Sequence, residues 1–154
     1  MSIFDRVFES EQKVAAPLAE VFAFFSRAEN LQKITPPSLH FEITSLPSEM
    51  RAGALIDYKI RIRGLPVRWR TEIAEWKPPH SFVDVQLRGP YALWHHTHSF
   101  EALKDGTTLM RDRVVYRVPF GPLGLLVAPV FVTPEIGRIF AYRSKVIGEM
   151  FRGS

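Results

Sequence analysis

Apolar residues recur along this chain with two periods, and the change from one to the other divides it. Between residues 39 and 118 they mostly alternate, as in strands, whereas in the last third they fall every three or four, as in a helix. The clearest alternation is ALIDYKIRIRGLPVRWRTEIAEWKPP, where Ile56, Tyr58, Ile60 and Ile62 face one way and Asp57, Lys59, Arg61 and Arg63 the other. After a turn at Gly64-Leu65-Pro66, Val67, Trp69, Thr71 and Ile73 alternate with Arg68, Arg70 and Glu72. The pattern predicts a hairpin with a wet basic face and an aromatic-aliphatic inner face.

Five further strands are predicted, at residues 5–14, 39–44, 81–87, 93–103 and 107–118, with Leu39, Phe41 and Ile43 on one face of the second of these. Lys104-Asp105-Gly106 forms a three-residue hairpin loop, with Gly106 at the position that needs positive φ. After the first strand, Pro17 opens a short helix carrying Leu18, Val21, Phe22 and Phe25 on one face. A second turn at Asn30–Ile34 is stopped by Thr35-Pro36-Pro37, because the residue before a proline is pushed out of the helical region. The apolar run Leu123–Val132, broken by Pro129, precedes a long helix with Ile136, Ile139, Phe140, Val146, Ile147, Met150 and Phe151 on its stripe. Thr133 is its expected N-cap and Pro134 its first residue. Each element is apolar on one side, so burial predicts an α+β fold in one domain over residues 1–154. Seven antiparallel strands curve around the C-terminal helix, two short helices follow strand 1, and a concave apolar pocket remains inside.

Composition changes this picture little. Apolar residues make up 46% and charged residues 23% of the 154, as in an ordinary globular chain. There is no cysteine, which excludes disulfides and thiolate catalysis. The opening MSIFDRVFESEQK lacks the apolar core of a secretory signal, and no uninterrupted apolar run reaches the roughly 18 residues of a membrane span, so a cytoplasmic location is expected. The net charge of +4 invites a nucleic-acid reading, but the basic residues form no block and no nucleic-acid-binding motif accompanies them. A solvated outer sheet face accounts for them better.

The order strand, two short helices, six strands and long helix resembles the helix-grip fold of the START-like, or SRPBCC, superfamily. The stretches that carry the resemblance are VAAPLAEVFAFFS, NLQKITPPSLHF, GPYALWHHTHSFE, DRVVYRVPFGPLG and IFAYRSKVIGEMF, which together span most of the chain. They look like the bacterial ligand-binding and polyketide-cyclase-like branch. The resemblance implies an apolar ligand held between the sheet and the C-terminal helix.

Trp94, His96, His98 and Phe100 share one face of their strand. The three-residue loop sets Leu103 opposite Thr107, hence His98 opposite Asp112, His96 opposite Val114 and Trp94 opposite Tyr116. His96, His98 and Asp112 could ligate a divalent metal, His98 with Asp112 could act as a general base, or the imidazoles could bind a ligand's polar head. A satisfied buried network, with His98 donating to Asp112, is the plainer alternative. No metal and no cofactor is assigned. Tyr58, Trp69, Trp94, Tyr116 and Phe140 are natural pocket linings because their polar tips want partners, and Arg143 could grip a carboxylate or pair with a strand acid. Phe120 and Leu126 belong to a glycine- and proline-rich flap that could cover the cavity mouth.

The leading expectation is a non-enzymatic binding protein for a lipid, isoprenoid or aromatic polyketide, lined by Tyr58, Trp69, Trp94, His96, His98, Tyr116, Phe120, Leu126, Phe140 and Arg143. A polyketide cyclase or dehydratase using His98 and Asp112 is the alternative. A third is an interaction module that docks on a membrane or protein through Leu123–Val132, and the oligomeric state is left open.

Overall fold

The computed structural model describes residues 2–152. Among them, seven strands form one antiparallel sheet: β1 (Arg6–Val14), β2 (Glu42–Ser45), β3 (Leu55–Ile62), β4 (Leu65–Lys77), β5 (Ser81–Arg88), β6 (Leu93–Ala102) and β7 (Thr108–Arg117). Their order is β1-β7-β6-β5-β4-β3-β2, so every neighbour but β1–β7 is consecutive in sequence. Helix α1 (Leu18–Phe25) and two 3₁₀ turns (Ala28–Ile34 and Pro37–Leu39) bridge β1 to β2. Leu39 therefore ends a turn instead of opening a strand. The two prolines before it hold that stretch helical in short pieces, and the left-handed His40 (φ 48°) reverses the chain into β2.

The β3–β4 turn is tighter than the sequence suggests. It consists of Arg63-Gly64, both at positive φ (52° and 80°), and Leu65 and Pro66 already pair with Ile62 and Arg61. Paired positive φ values match the twist of the flanking strands, which explains why a two-residue turn wins here. Within the hairpin, Ile56, Ile60, Trp69, Thr71 and Ile73 are buried, while Lys59, Arg61 and Arg68 are exposed. The period-2 pattern thus has the sidedness expected of it.

The C-terminal helical stretch starts earlier than predicted and runs for 29 residues, Pro122–Met150. It comprises α2 (Pro122–Val127), a π-helical turn (Ala128–Val132) and α3 (Thr133–Met150). Pro129 and Pro134 lack the N–H that α-helical pairing needs, and a wider turn absorbs the break. Thr133 consequently caps nothing; its hydroxyl pairs with the Tyr116 hydroxyl at 2.7 Å. By length and composition this stretch could cross a membrane, which corrects the expectation that none could. Here Ile136, Phe140 and Ile147 are buried against the sheet, so it serves as the core rod. Where α2 leaves β7, a Cβ on Gly124 would sit 2.6 Å from the Pro119 carbonyl oxygen, so only glycine permits that close approach.

The core has two ends. Val14, Val21, Phe22, Phe25, Phe82, Phe100 and Ile147 pack at one, and Val114, Tyr116, Ile136 and Phe140 at the other. Between them the curvature of the sheet holds the wall away from α3.

Candidate functional site

That gap is a cavity of about 160 Å³. Its wall is formed by Leu39, Phe41, Ile56, Tyr58, Ile60, Trp69 and Trp94, and it is closed by Ile136, Ile139 and Phe140 of α3. The aromatic members brace one another: Tyr58 stacks on Trp69 at 5.7 Å, and Trp94 meets Trp69 edge-on at 5.5 Å. Burial pushes the Tyr58 hydroxyl far above its ordinary range, so it stays protonated.

One end of the cavity is polar. His96 and His98 stand two residues apart on β6, flanked by Asp84 of β5 and Asp112 of β7, with Arg143 of α3 beyond. The register aligns His98 with Asp112, His96 with Val114 and Trp94 with Tyr116, as the three-residue loop implies. Yet each carboxylate binds the imidazole diagonal to it. His96 Nε2 lies 2.7 Å from Asp112 Oδ1, and His98 Nε2 lies 2.6 Å from Asp84 Oδ2. Strand-diagonal neighbours are within reach of long side chains, and the stacked imidazoles, 3.6 Å between centroids, cannot both turn to the acid directly opposite. The expected His98–Asp112 bond is therefore replaced: Asp112 holds His96, and His98 Nδ1 stays 3.4 Å away. Phe82 stacks on the outer face of His98 at 4.0 Å and completes the packing.

Burial works against every charge here. It pushes the His98 imidazole down to about 4, helped by His96 and opposed by Asp84. It pushes both carboxylates up, but hydrogen bonds and nearby positive groups outweigh it. His96, His98 and Arg143 bring Asp112 down to about 2, and the same three groups hold Asp84 below its usual range. Arg143 completes no short pair: Nη1 is 3.7 Å from Asp112 Oδ1, and Nε and Nη1 have no hydrogen-bond partner among the described residues. Trp69 Nε1 is likewise buried and unpaired.

Of the residues singled out in the sequence, Tyr58, Trp69, Trp94, His96, His98, Phe140 and Arg143 line the cavity. Tyr116 does not; it is buried behind Trp94 and bonded to Thr133. Phe120 and Leu126 do not either, being 78% and 72% exposed. Phe120 lies in the turn before α2, at φ 77°, and α2 points Leu126 outward because the buried side of the rod is taken by Gly124 and Ala128. Asp84 is the member that sequence reasoning missed. Its strand, SFVDVQLR, carries Val83, Val85 and Leu87 on one face and Phe82, Asp84, Gln86 and Arg88 on the other, so alternation marks the valine face as the inner one, whereas the structure turns Phe82 and Asp84 to the cavity. A lone acid flanked by two valines was the available signal.

A curved antiparallel sheet closed by a long helix over an apolar cavity defines the helix-grip class of START-like proteins. The chain belongs to the polyketide cyclase/dehydrase and lipid transport family of that SRPBCC superfamily, whose sequence pattern it matches over residues 5–141. No curated protein sequence matches it. Solved structures similar to it include an aromatase/cyclase from a Streptomyces species (16% identity, 95% of this chain and 93% of that one, TM-score 0.71). A START superfamily protein from Mycobacterium smegmatis aligns at 14% identity over 94% and 96% of the two chains, TM-score 0.70. Norcoclaurine synthase from Thalictrum flavum aligns at 17% identity over 97% and 98%, TM-score 0.69. At these identities the likeness establishes the fold alone.

Proposed function

We propose that the protein is a carrier for a small amphipathic molecule, with an apolar or aromatic body and an oxygen-bearing head such as a carboxylate, ketone or phenol. The observation that supports this most is the unpaired donor set beside the cavity: Arg143 Nε and Nη1, with Trp69 Nε1 along the wall. A buried donor without an acceptor costs about 1–3 kcal/mol, more when charged, and a ligand oxygen supplies the acceptor. The aromatic wall meanwhile takes the apolar body. The volume resembles the roughly 150 Å³ cavity that admits benzene in an engineered core, so an aromatic ring with a short substituent is the natural size class.

The test compares an aromatic carboxylic acid with its neutral apolar analogue by calorimetry. Arg143→Met should weaken the acid about tenfold or more, since hydrogen bonds to a charged group contribute about 1.5–3 kcal/mol, and leave the analogue unchanged. Equal loss of both would show that Arg143 shapes the cavity without reading the head.

A proton-transferring cyclase is the second reading, favoured by the two His–Asp pairs at the cavity's polar end. With His98 bonded to Asp84, that pair replaces His98–Asp112 as the candidate base. Turnover of a poly-β-keto substrate lost in Asp84→Asn with binding retained would favour this reading over the carrier.

Loading from a membrane fits the carrier reading. Phe120, in the turn before α2, and Leu123, Leu126, Val130 and Phe131 on the helical stretch are exposed, and the Arg63 guanidinium sits 4.9 Å over the Phe131 ring. That contact brings the exposed Leu65 and the basic tip of the β3–β4 hairpin beside the apolar patch, a pairing suited to an anionic lipid surface. Sedimentation with phosphatidylglycerol-containing vesicles should show binding that the double variant Leu126→Asp/Phe131→Asp loses at least tenfold, because two buried side chains contribute roughly 3 kcal/mol or more. Binding unchanged by both substitutions would remove the docking role.

A further inference from the structure

We infer that the polar end of the cavity binds a divalent first-row transition-metal ion through His96, His98 and Asp84, with Asp112 orienting both imidazoles from behind. The three ligands come from neighbouring strands, and one ligand atom from each lies within 4.8 Å of the others. The two rings stack in opposite directions, which sorts their nitrogens by side. His96 Nδ1 and His98 Nε2 face Asp84 Oδ2, at 3.7 Å and 2.6 Å. His96 Nε2 and His98 Nδ1 face Asp112 Oδ1, at 2.7 Å and 3.4 Å. Ligands about 2.0–2.2 Å from one ion stand roughly 3–4 Å apart, so the Asp84 side must open its 2.6 Å contact and draw in its widest separation, at most 4.8 Å, each by less than about 1 Å. Two imidazoles and one carboxylate with open positions form a recognised set for a divalent ion, and here the open side faces the cavity, which Asp84 lines and Asp112 does not.

Hydrogen-bond arithmetic points the same way. Each carboxylate holds one imidazole Nε2, at 2.7 Å and 2.6 Å, while the Nδ1 atoms stay farther off, at 3.7 Å and 3.4 Å, and Arg143 approaches no closer than 3.7 Å. Two carboxylates and one guanidinium leave one negative charge in a buried site. A dication reverses that sign and favours an anionic ligand oxygen in the open position.

No covalent bond is made or broken beyond coordination. The ion replaces the proton that His98 Nε2 shares with Asp84, and that proton leaves for solvent while His98 takes one on Nδ1, toward Asp112, so the ring stays neutral. His96 keeps Nε2 toward Asp112 and turns Nδ1 to the Asp84 side, where the ion would sit. Asp112 then stands behind both ligating rings, as the carboxylates behind metal-bound histidines commonly do. Asp84 is what the sequence reading lacked. Asp112 also meets a nitrogen of each ring, at 2.7 Å and 3.4 Å, but it does not line the cavity, so only the Asp84 side offers positions open to a ligand.

The full chain, stripped with a chelator, is titrated with Zn²⁺ by calorimetry and with Co²⁺ by visible absorption. One equivalent should bind, with the intense visible bands of a low-coordinate cobalt site. Asp84→Asn and His98→Ala should abolish uptake, and Asp112→Asn should weaken it about tenfold to a hundredfold. Histidine ¹⁵N spectra of the wild-type protein keep the test open if a variant fails to fold: Zn²⁺ should shift His96 Nδ1 and His98 Nε2. Absence of uptake, uptake indifferent to Asp84 and His98, or histidine signals unmoved by Zn²⁺ would overturn the site. The metal reading stands apart from the carrier reading, because binding of the aromatic acid by the metal-free protein is measured separately and either can fail alone.

Discussion

Asp112→Ala is expected to destabilise the protein by about 3–5 kcal/mol, the usual cost of removing one partner from a buried charged pair. Asp112 is only 4% exposed and holds His96 at 2.7 Å, with Arg143 the nearest guanidinium at 3.7 Å. Its loss leaves an imidazole N–H unsatisfied and a buried cation without its nearest counter-charge. Asp112→Asn keeps an oxygen for His96 and should lose distinctly less. The measurement is urea unfolding of both variants, with the His96→Phe/Asp112→Ala pair closing a double-mutant cycle. A coupling near zero, instead of about 0.5–3 kcal/mol, would mean that the pair is incidental to stability.

Ile147→Ala is expected to cost about 2–5 kcal/mol, a large part of the roughly 5–15 kcal/mol that holds a domain folded. Ile147 has no exposed surface, and it packs with Val14, Val21, Phe25, Phe100 and Phe151 where α3 meets β1, α1 and β6. Ile147 itself does not line the cavity, so the void would form in packed core and not in the ligand site. Neighbours fixed in three separate elements cannot all collapse inward, which places the loss toward the upper half of the range. The unfolding midpoint should fall while the slope with urea stays constant. A loss below about 1 kcal/mol would show that the sheet does not close on α3 at this level.

The polar cluster was half legible. His96 and His98 announce themselves because residues two apart on a strand share a face, and Asp112 follows from the length of one hairpin loop. Which imidazole takes which acid was not legible, because it depends on the stacking of two rings across three strands. Asp84 was hidden for a related reason: the more apolar face of β5 is Val83, Val85 and Leu87, and only pairing with β4 and β6 turns Phe82 and Asp84 inward. The outward turn of Leu126 was hidden as well. An apolar run reads as buried unless the fold has no room left for it, and here the inner side of that helix is filled by Gly124 and Ala128.

The sequence by itself determined what is local: strand faces set by a period of two, the rod set by a period near 3.6, and turns set by glycine and proline. Those patterns follow from backbone geometry and the burial of one apolar side, and together they suffice for the helix-grip architecture. Tertiary structure alone decided what depends on distance between separate elements. It curved the sheet away from α3 to leave a cavity, crossed the histidine–aspartate bonds, brought Asp84 to the site and left Arg143 without a close acceptor. These are outcomes of packing in three dimensions, where side chains far apart in sequence compete for the same space and the same hydrogen bonds.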